Sequence, residues 1–244
     1  MKNSRKLFIF LVFLLPVFGR CESDLPYKDC FKNFNLPGHK QLGRNIDRVL
    51  FTILRKIQLS PVNYASHFAG RGSNAIYGHA QCPMYINRSE CYSCVLKAIR
   101  RIKKDCQSSA EVEIWYELCF LRYDSTNFFK QVVQGPVFGW SQKQSPVAHS
   151  LDFIKTVNSV MAEATMRAIA ASTRYGGMES VNSENNVVVH GMVQCTGDLE
   201  PLECSNCLNS LVKGLRSNCG GGAYSDCIMF APSCMSRYVG VNRT

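Results

Sequence analysis

The sequence has no apolar run of the roughly 20 residues needed to span a bilayer. Leu7 to Leu15 is unbroken but too short, so a soluble product with no membrane anchor is expected. No Gly-x-Ser-x-Gly elbow or His-Glu-x-x-His is present, and Gly220 to Gly222 precedes a strand pattern rather than a helix, which excludes a phosphate-binding loop. His39, His67, His79, His149 and His190 show neither metal nor triad spacing. Acidic residues are also few, 18 against 28 Lys and Arg, giving a formal charge of +10. Lys2, Arg5, Lys6 and Arg20 lie in or beside an export signal, and without these four the balance falls to +6. Such a charge draws acidic cell-wall polymers or anionic membranes without specifying either. The basic segments lack interleaved aromatics, so nucleic acid is not an expected partner.

What the chain does have is cysteine, 13 in 244 residues. Met1 to Gly19 reads as a signal peptide, with a charged start, an unbroken apolar run over Leu7 to Leu15 and then Pro16 and Val17 to Gly19; cleavage as late as residue 21 is compatible with the pattern. Export places the cysteines in an oxidising compartment, where small domains rely on disulfides.

The cysteines are in register. Cys82, Cys91, Cys94 and Cys106 return 113 residues later as Cys195, Cys204, Cys207 and Cys219, and Gly78 and Gln81 return with them as Gly191 and Gln194. A doubled frame makes two small domains rather than one large one. The boundaries read as 24–124 and 149–244, joined by 125–148. That joining stretch holds Phe128, Phe129, Val132, Val133, Phe138 and Trp140. A free linker would be polar, so a packed connection is expected.

Each unit follows one plan. Cys30 lies in a loop reading rich in Asn, Pro and Gly. Leu42, Ile46, Val49, Leu50, Ile53, Leu54 and Ile57 form a helical stripe that ends before Pro61. Strands are expected at 64–68 and 75–82, then a helix capped by Ser89 with Cys91, Cys94, Val95, Ala98, Ile99 and Ile102 facing inward. Its outer Lys and Arg read as a solvated face. Strands at 111–116 and 118–123 close the unit with Cys119-x2-Arg122-Tyr123. In the second unit the helices are expected over 150–171 and from Pro201, with a strand at 187–193 between them. Cys234-x2-Arg237-Tyr238 repeats the closing motif, displaced by two residues.

Cys91-x2-Cys94 and Cys204-x2-Cys207 also admit a redox or zinc reading. A redox pair needs an exposed thiol of low pKa, and zinc needs four reduced ligands, whereas an exported cysteine-rich chain favours structural disulfides. No cofactor, no metal and no catalytic residue is expected.

The doubled Cys-x8-Cys-x2-Cys, the preceding Gln and the closing Cys-x2-Arg-Tyr resemble the plant cysteine-rich repeat secretory proteins, with two ginkbilobin-like (stress-antifungal) domains. The resemblance implies an α+β fold, each domain having two helices packed on an antiparallel sheet of about five strands. It also implies the pairs Cys30–Cys106, Cys82–Cys91 and Cys94–Cys119, which sequence alone leaves among fifteen possibilities. The second unit has no cysteine before its first helix. Cys227 is the compensation proposed for this, giving Cys195–Cys204, Cys207–Cys234 and Cys219–Cys227, with Cys21 left over. Asn87 and Asn242 begin glycosylation sequons.

The function implied is that of a secreted, apoplastic, non-enzymatic binding module in stress or defence. Its expected partner is an extracellular carbohydrate or protein. Two other readings are an antifungal effector acting on membranes or cell walls and an extracellular thiol–disulfide protein. Relatives bind mannose through an Asn, an Arg and a Glu; the matching positions here hold Phe31, Glu113 and Asp124, and the second unit has Val239 in place of the Glu. The sugar contact's charge is therefore reversed, and mannose binding by inheritance is not expected.

Overall fold

The structure is a computed structural model and describes residues 27–34, 39–133, 138–144, 148, 150–182, 186–219 and 224–242. The signal segment, Cys21 and the glycines at 220–222 lie outside the described residues.

Helix α1 (Lys40–Leu59) buries Leu42, Ile46, Val49, Leu50, Ile53 and Ile57. Helix α2 (Arg88–Asp105) buries Cys91, Cys94, Val95, Ala98, Ile99 and Ile102. Both lie on one face of an antiparallel sheet formed by β1 (Tyr27–Asn33), β2 (Tyr64–Ala69), β3 (Ile76–Gln81), β4 (Ser109–Tyr116) and β5 (Cys119–Asp124). The strand order is β1-β4-β5-β3-β2. The second unit repeats this with β6 (Phe138–Gln144), α3 (Leu151–Ala170), β7 (Tyr175–Asn182), β8 (Val187–Cys195), α4 (Pro201–Asn218), β9 (Tyr224–Ala231) and β10 (Cys234–Asn242), ordered β6-β9-β10-β8-β7. The α+β plan is thus realised twice, with five strands in each sheet.

The repeated glycines allow the helices to seat closely. A Cβ at Gly78 would stand 2.6 Å from Val49 Cγ1, and one at Gly191 would stand 2.4 Å from Val160 Cγ1. Any larger residue would push the first helix of its unit off the sheet.

Six disulfides staple the layers. Cys82–Cys91 and Cys195–Cys204 join the end of β3 or β8 to the helix that follows, and Cys94–Cys119 and Cys207–Cys234 join that helix to the last strand. Cys30–Cys106 fastens β1 to the end of α2, and Cys219–Cys227 fastens the end of α4 to β9.

Three local readings change, and one strand is new. Cys30 is in a strand, not a loop: Tyr27 to Asn33 pairs along β4. The cap of α2 is Asn87 rather than Ser89, because Asn87 and Glu90 form a reciprocal capping box with both bonds at 3.0 Å. Within the stretch read as the connection, β6 pairs with β9 as the edge strand of the second sheet. Strand β7 is an addition, since no element was expected between the helix ending at 171 and the strand starting at 187. A Cβ at Gly176 would lie 1.9 Å from the carbonyl oxygen of Ala164, so glycine is what lets α3 approach this strand.

Candidate functional site

The sheet faces turned away from the helices carry the charged and aromatic residues. On the first sheet, strand register sets Phe31 opposite Glu111, Glu111 opposite Asp124, and Glu113 opposite Arg122. The three positions singled out from the resemblance, Phe31, Glu113 and Asp124, therefore share one face. Phe31 is exposed there.

The charges beside it are directed at one another. Arg122, 4% exposed, places Nη1 3.2 Å from Glu113 and Nη2 3.2 Å from Asp124, with Glu111 at 3.8 Å. Lys32 reaches Asp124 at 2.8 Å and Glu111 at 3.0 Å. The Phe128 ring covers the guanidinium at 4.3 Å, a cation–π contact. Arg122 Nε and Nη1 make no well-aligned hydrogen bond among the described residues, so charge and the ring hold the cluster rather than a fork-to-fork pair.

Burial pushes the Glu113 carboxyl up to about 7; Arg122 opposes this, while Glu111, Asp29 and Asp124 add to it. Folding thus favours the protonated form. The stability this group contributes is fully present below its ordinary value of 4.5 and is lost as pH rises through about 7. Glu113→Gln is therefore expected to gain about 2 kcal/mol over the native chain near pH 8 and nothing near pH 4. Denaturant unfolding at several pH values measures this, and an equal effect at both ends would contradict it. His79 tilts the curve the other way: burial, opposed by Asp198 and aided by Arg122, lowers it from 6.5 to about 4, so its contribution is lost as pH falls through that range.

The closing motif is built alike in both units. Tyr123 Oη donates to the carbonyl oxygen of Ser109 and Tyr238 Oη to that of Tyr224, each at 3.0 Å, on the helix side of the sheet. Arg237, on the other side, grips Asp226 through Nε at 3.2 Å and Nη2 at 2.9 Å. Its Nη1 crosses to Glu117 of the first unit at 2.9 Å. Burial pulls against its charge, but the bonds to Asp226 hold it above its ordinary value.

That crossing is part of a seam between the units. Gln81 Nε2 donates to the carbonyl oxygen of Cys195 at 2.7 Å, and the N–H of Gly197 donates to Gln81 Oε1 at 2.9 Å. The copy answers: the N–H of Met84 donates to Gln194 Oε1 at 3.2 Å, and Gln194 Nε2 reaches the carbonyl oxygen of Cys82 at 3.5 Å. Each repeated glutamine thus binds backbone beside the other copy's first repeated cysteine. Next to them Trp115 and Phe120 pack on Ile228 and Phe230, with Tyr27 and Met235 at the margin. Asp198 enters from the second unit and accepts a bond from the N–H of Lys130 at 2.7 Å. Repetition in the sequence marked Gln81 and Gln194, but nothing there signalled Glu117, Asp198 or His79.

Chemistry finds little here. The twelve described cysteines are all in disulfides, and Cys91 and Cys94 bond to different partners, so the Cys-x2-Cys spacing forms no dithiol. Among the described residues no group of three His, Cys, Asp or Glu is placed to hold a metal. Nor is any described helix long and apolar enough to cross a membrane. Asn87 and Asn242 are both exposed, and Asn87 uses its side-chain oxygen as a helix cap.

Comparison with known proteins agrees with this build. The cysteine-rich repeat secretory protein 55 of Arabidopsis thaliana is 25% identical over 227 residues, covering 92% of this chain and 86% of the relative. The antimicrobial ginkbilobin-2-like protein of Castanea crenata is 23% identical over 213 residues, covering 87% and 86%. The tandem DUF26 ectodomain of the Arabidopsis thaliana cysteine-rich receptor-like protein PDLP8 superposes with a TM-score of 0.74 at 24% identity, covering 88% of this chain and 98% of that one. The family described as Salt stress response/antifungal matches residues 29–126 and again 141–240. Two copies of its domain account for most of the sequence, and the chain belongs to that family of cysteine-rich stress-response proteins.

Proposed function

We propose that the protein is a secreted, non-catalytic binding module that presents its two domains as one rigid recognition body in the apoplast. The observation that carries this reading is the seam, where reciprocal glutamine bonds, an apolar cluster and the Arg237–Glu117 pair join the copies. Rigid presentation reduces the ordering cost of binding, which suits recognition of an extended partner. The relative named for its receptor-like ectodomain has the same tandem plan, which supports an extracellular carbohydrate or protein as partner. Mannose is not favoured at the inherited positions, because Glu113 and Asp124 are held by Arg122 and Lys32. Export and glycosylation at Asn87 belong to this reading, since a glycan on the amide nitrogen leaves the capping oxygen in use. An antifungal effector is the second reading, favoured by the name of the Castanea relative.

The test is an array of plant and fungal wall glycans and extracellular receptor domains, run beside an assay of dithiol–disulfide exchange. Saturable binding without turnover is the expected result. Robust turnover by the folded protein, with nothing bound on the array, would contradict the proposal.

A further inference from the structure

Charge is distributed unequally between the two copies. Helices α1 and α2 carry five and six Lys and Arg against one and two Asp and Glu, whereas α3 and α4 carry two of each basic count against two and one acids. The few acids on the first pair are already engaged. Asp47 pairs with Lys103 at 2.7 Å, Asp105 pairs with Lys28 and Arg101 at 2.6 Å, and Glu90 closes the capping box. Arg48, Arg55, Arg100 and Lys104 are exposed and have no acidic partner among the described residues.

Between the two helices runs an open groove of about 550 Å³. Its rim holds Lys40, Arg44 and Lys103 with one acid, Asp47, which is paired to Lys103, and its floor holds Ile46, Leu50 and Tyr123. That volume is in the range of small-molecule sites, and a basic rim over an apolar floor suits a ring with one carboxylate and one C–H face. Exposed Phe51 lies two turns from Arg44 on the same face, where a further ring can stack. Phe51 and Leu59 are the large exposed apolar residues of these two helices, too few to seat them in a bilayer.

The geometry points to the α1–α2 groove of the first domain as a docking site for a carboxylate-bearing polysaccharide, an extended chain of uronic acids. This surface lies on the opposite side of the sheet from the seam, and the second domain's helices do not carry the same excess of Lys and Arg. The Arg44 fork engages one carboxylate of the chain, and Lys40 and Lys103 beside it add an attraction that salt weakens.

Binding of the full chain to de-esterified polygalacturonate tests it. Lys40→Gln, Arg44→Gln and Lys103→Gln combined should weaken binding about tenfold or more. Lys155→Gln, Arg167→Gln and Lys213→Gln combined, which removes the same charge from the second domain, should change it less than about twofold. All six side chains are solvent-facing, so thermal melting should show both variants folded. Fully methyl-esterified polymer should not bind. Equal loss in the two variants, retention of the methyl ester, absence of polygalacturonate binding, or binding to phosphatidylserine vesicles in its place would each overturn the assignment.

Discussion

Replacing Gln81 and Gln194 with Ala together should split the unfolding of the protein into two calorimetric transitions. In the native chain the two domains share the seam, so one cannot unfold without stripping partners from the other. Gln81 satisfies the buried carbonyl of Cys195 and the N–H of Gly197, and Gln194 does the same for the N–H of Met84. The buried Cys195 carbonyl left without a partner costs about 1 to 3 kcal/mol, whereas water can reach the N–H groups of exposed Gly197 and half-buried Met84, so the double variant should lose about 2 to 3 kcal/mol of coupling. The apolar contacts of Trp115, Phe120, Ile228 and Phe230 would remain, which sets a ceiling on the loss. A single transition moved only slightly would show that the apolar cluster alone holds the copies together.

Removal of the Cys30–Cys106 bridge by paired Ser substitution should destabilise its domain by about 4 to 5 kcal/mol, enough to prevent folding at ordinary temperatures. The bridge closes a loop of 76 residues. The Cys219–Cys227 bridge closes only 8, and by the same chain-entropy argument its removal should cost about 2 to 3 kcal/mol. The two copies have thus fastened the C-terminal end of the same helix in unequal ways. In the first copy the anchor is the edge strand β1; in the second it is β9, the strand that follows the helix. Urea unfolding of the two Ser pairs measures the difference. If the second bridge were the costlier one to lose, loop closure would not be what these disulfides supply, and strain or packing would have to replace it.

The two copies also show which features a sequence exposes. The stripes of α1 and α2 were plain because apolar residues recur at helical spacing. The closing strands were marked by Cys119 and Cys234. Strands β1, β6 and β7 were hidden for different reasons. In β1 both faces are mixed, with Lys28 and Cys30 on one side and Asp29 and Phe31 on the other. In β6 the strand sits within a stretch whose aromatics read as a packed connection. In β7 paired glycines mimic a turn, although one of them is required by the approach of α3.

Site features divide in the same way. Gln81 and Gln194 stood out because they repeat, yet their partners are backbone groups of the opposite copy, and backbone partners leave no trace in composition. Phe31, Glu113 and Asp124 were singled out by resemblance, and it is strand register that puts them on one face. That Arg122 would lie between Glu113 and Asp124 follows from register, because Glu113 and Arg122 are directly opposed across β4 and β5. Register of this kind becomes readable only once both strands and the turn joining them are fixed.

The central claim is that the two domains form one body, and alignment of the protein in a dilute anisotropic medium tests it most directly. Backbone residual dipolar couplings measured for each domain give two alignment tensors. In the native chain the two should coincide in magnitude and orientation, and in the Gln81→Ala, Gln194→Ala variant they should diverge. Tensors that already differ in the native chain would mean that the domains reorient independently and that the seam does not hold in solution.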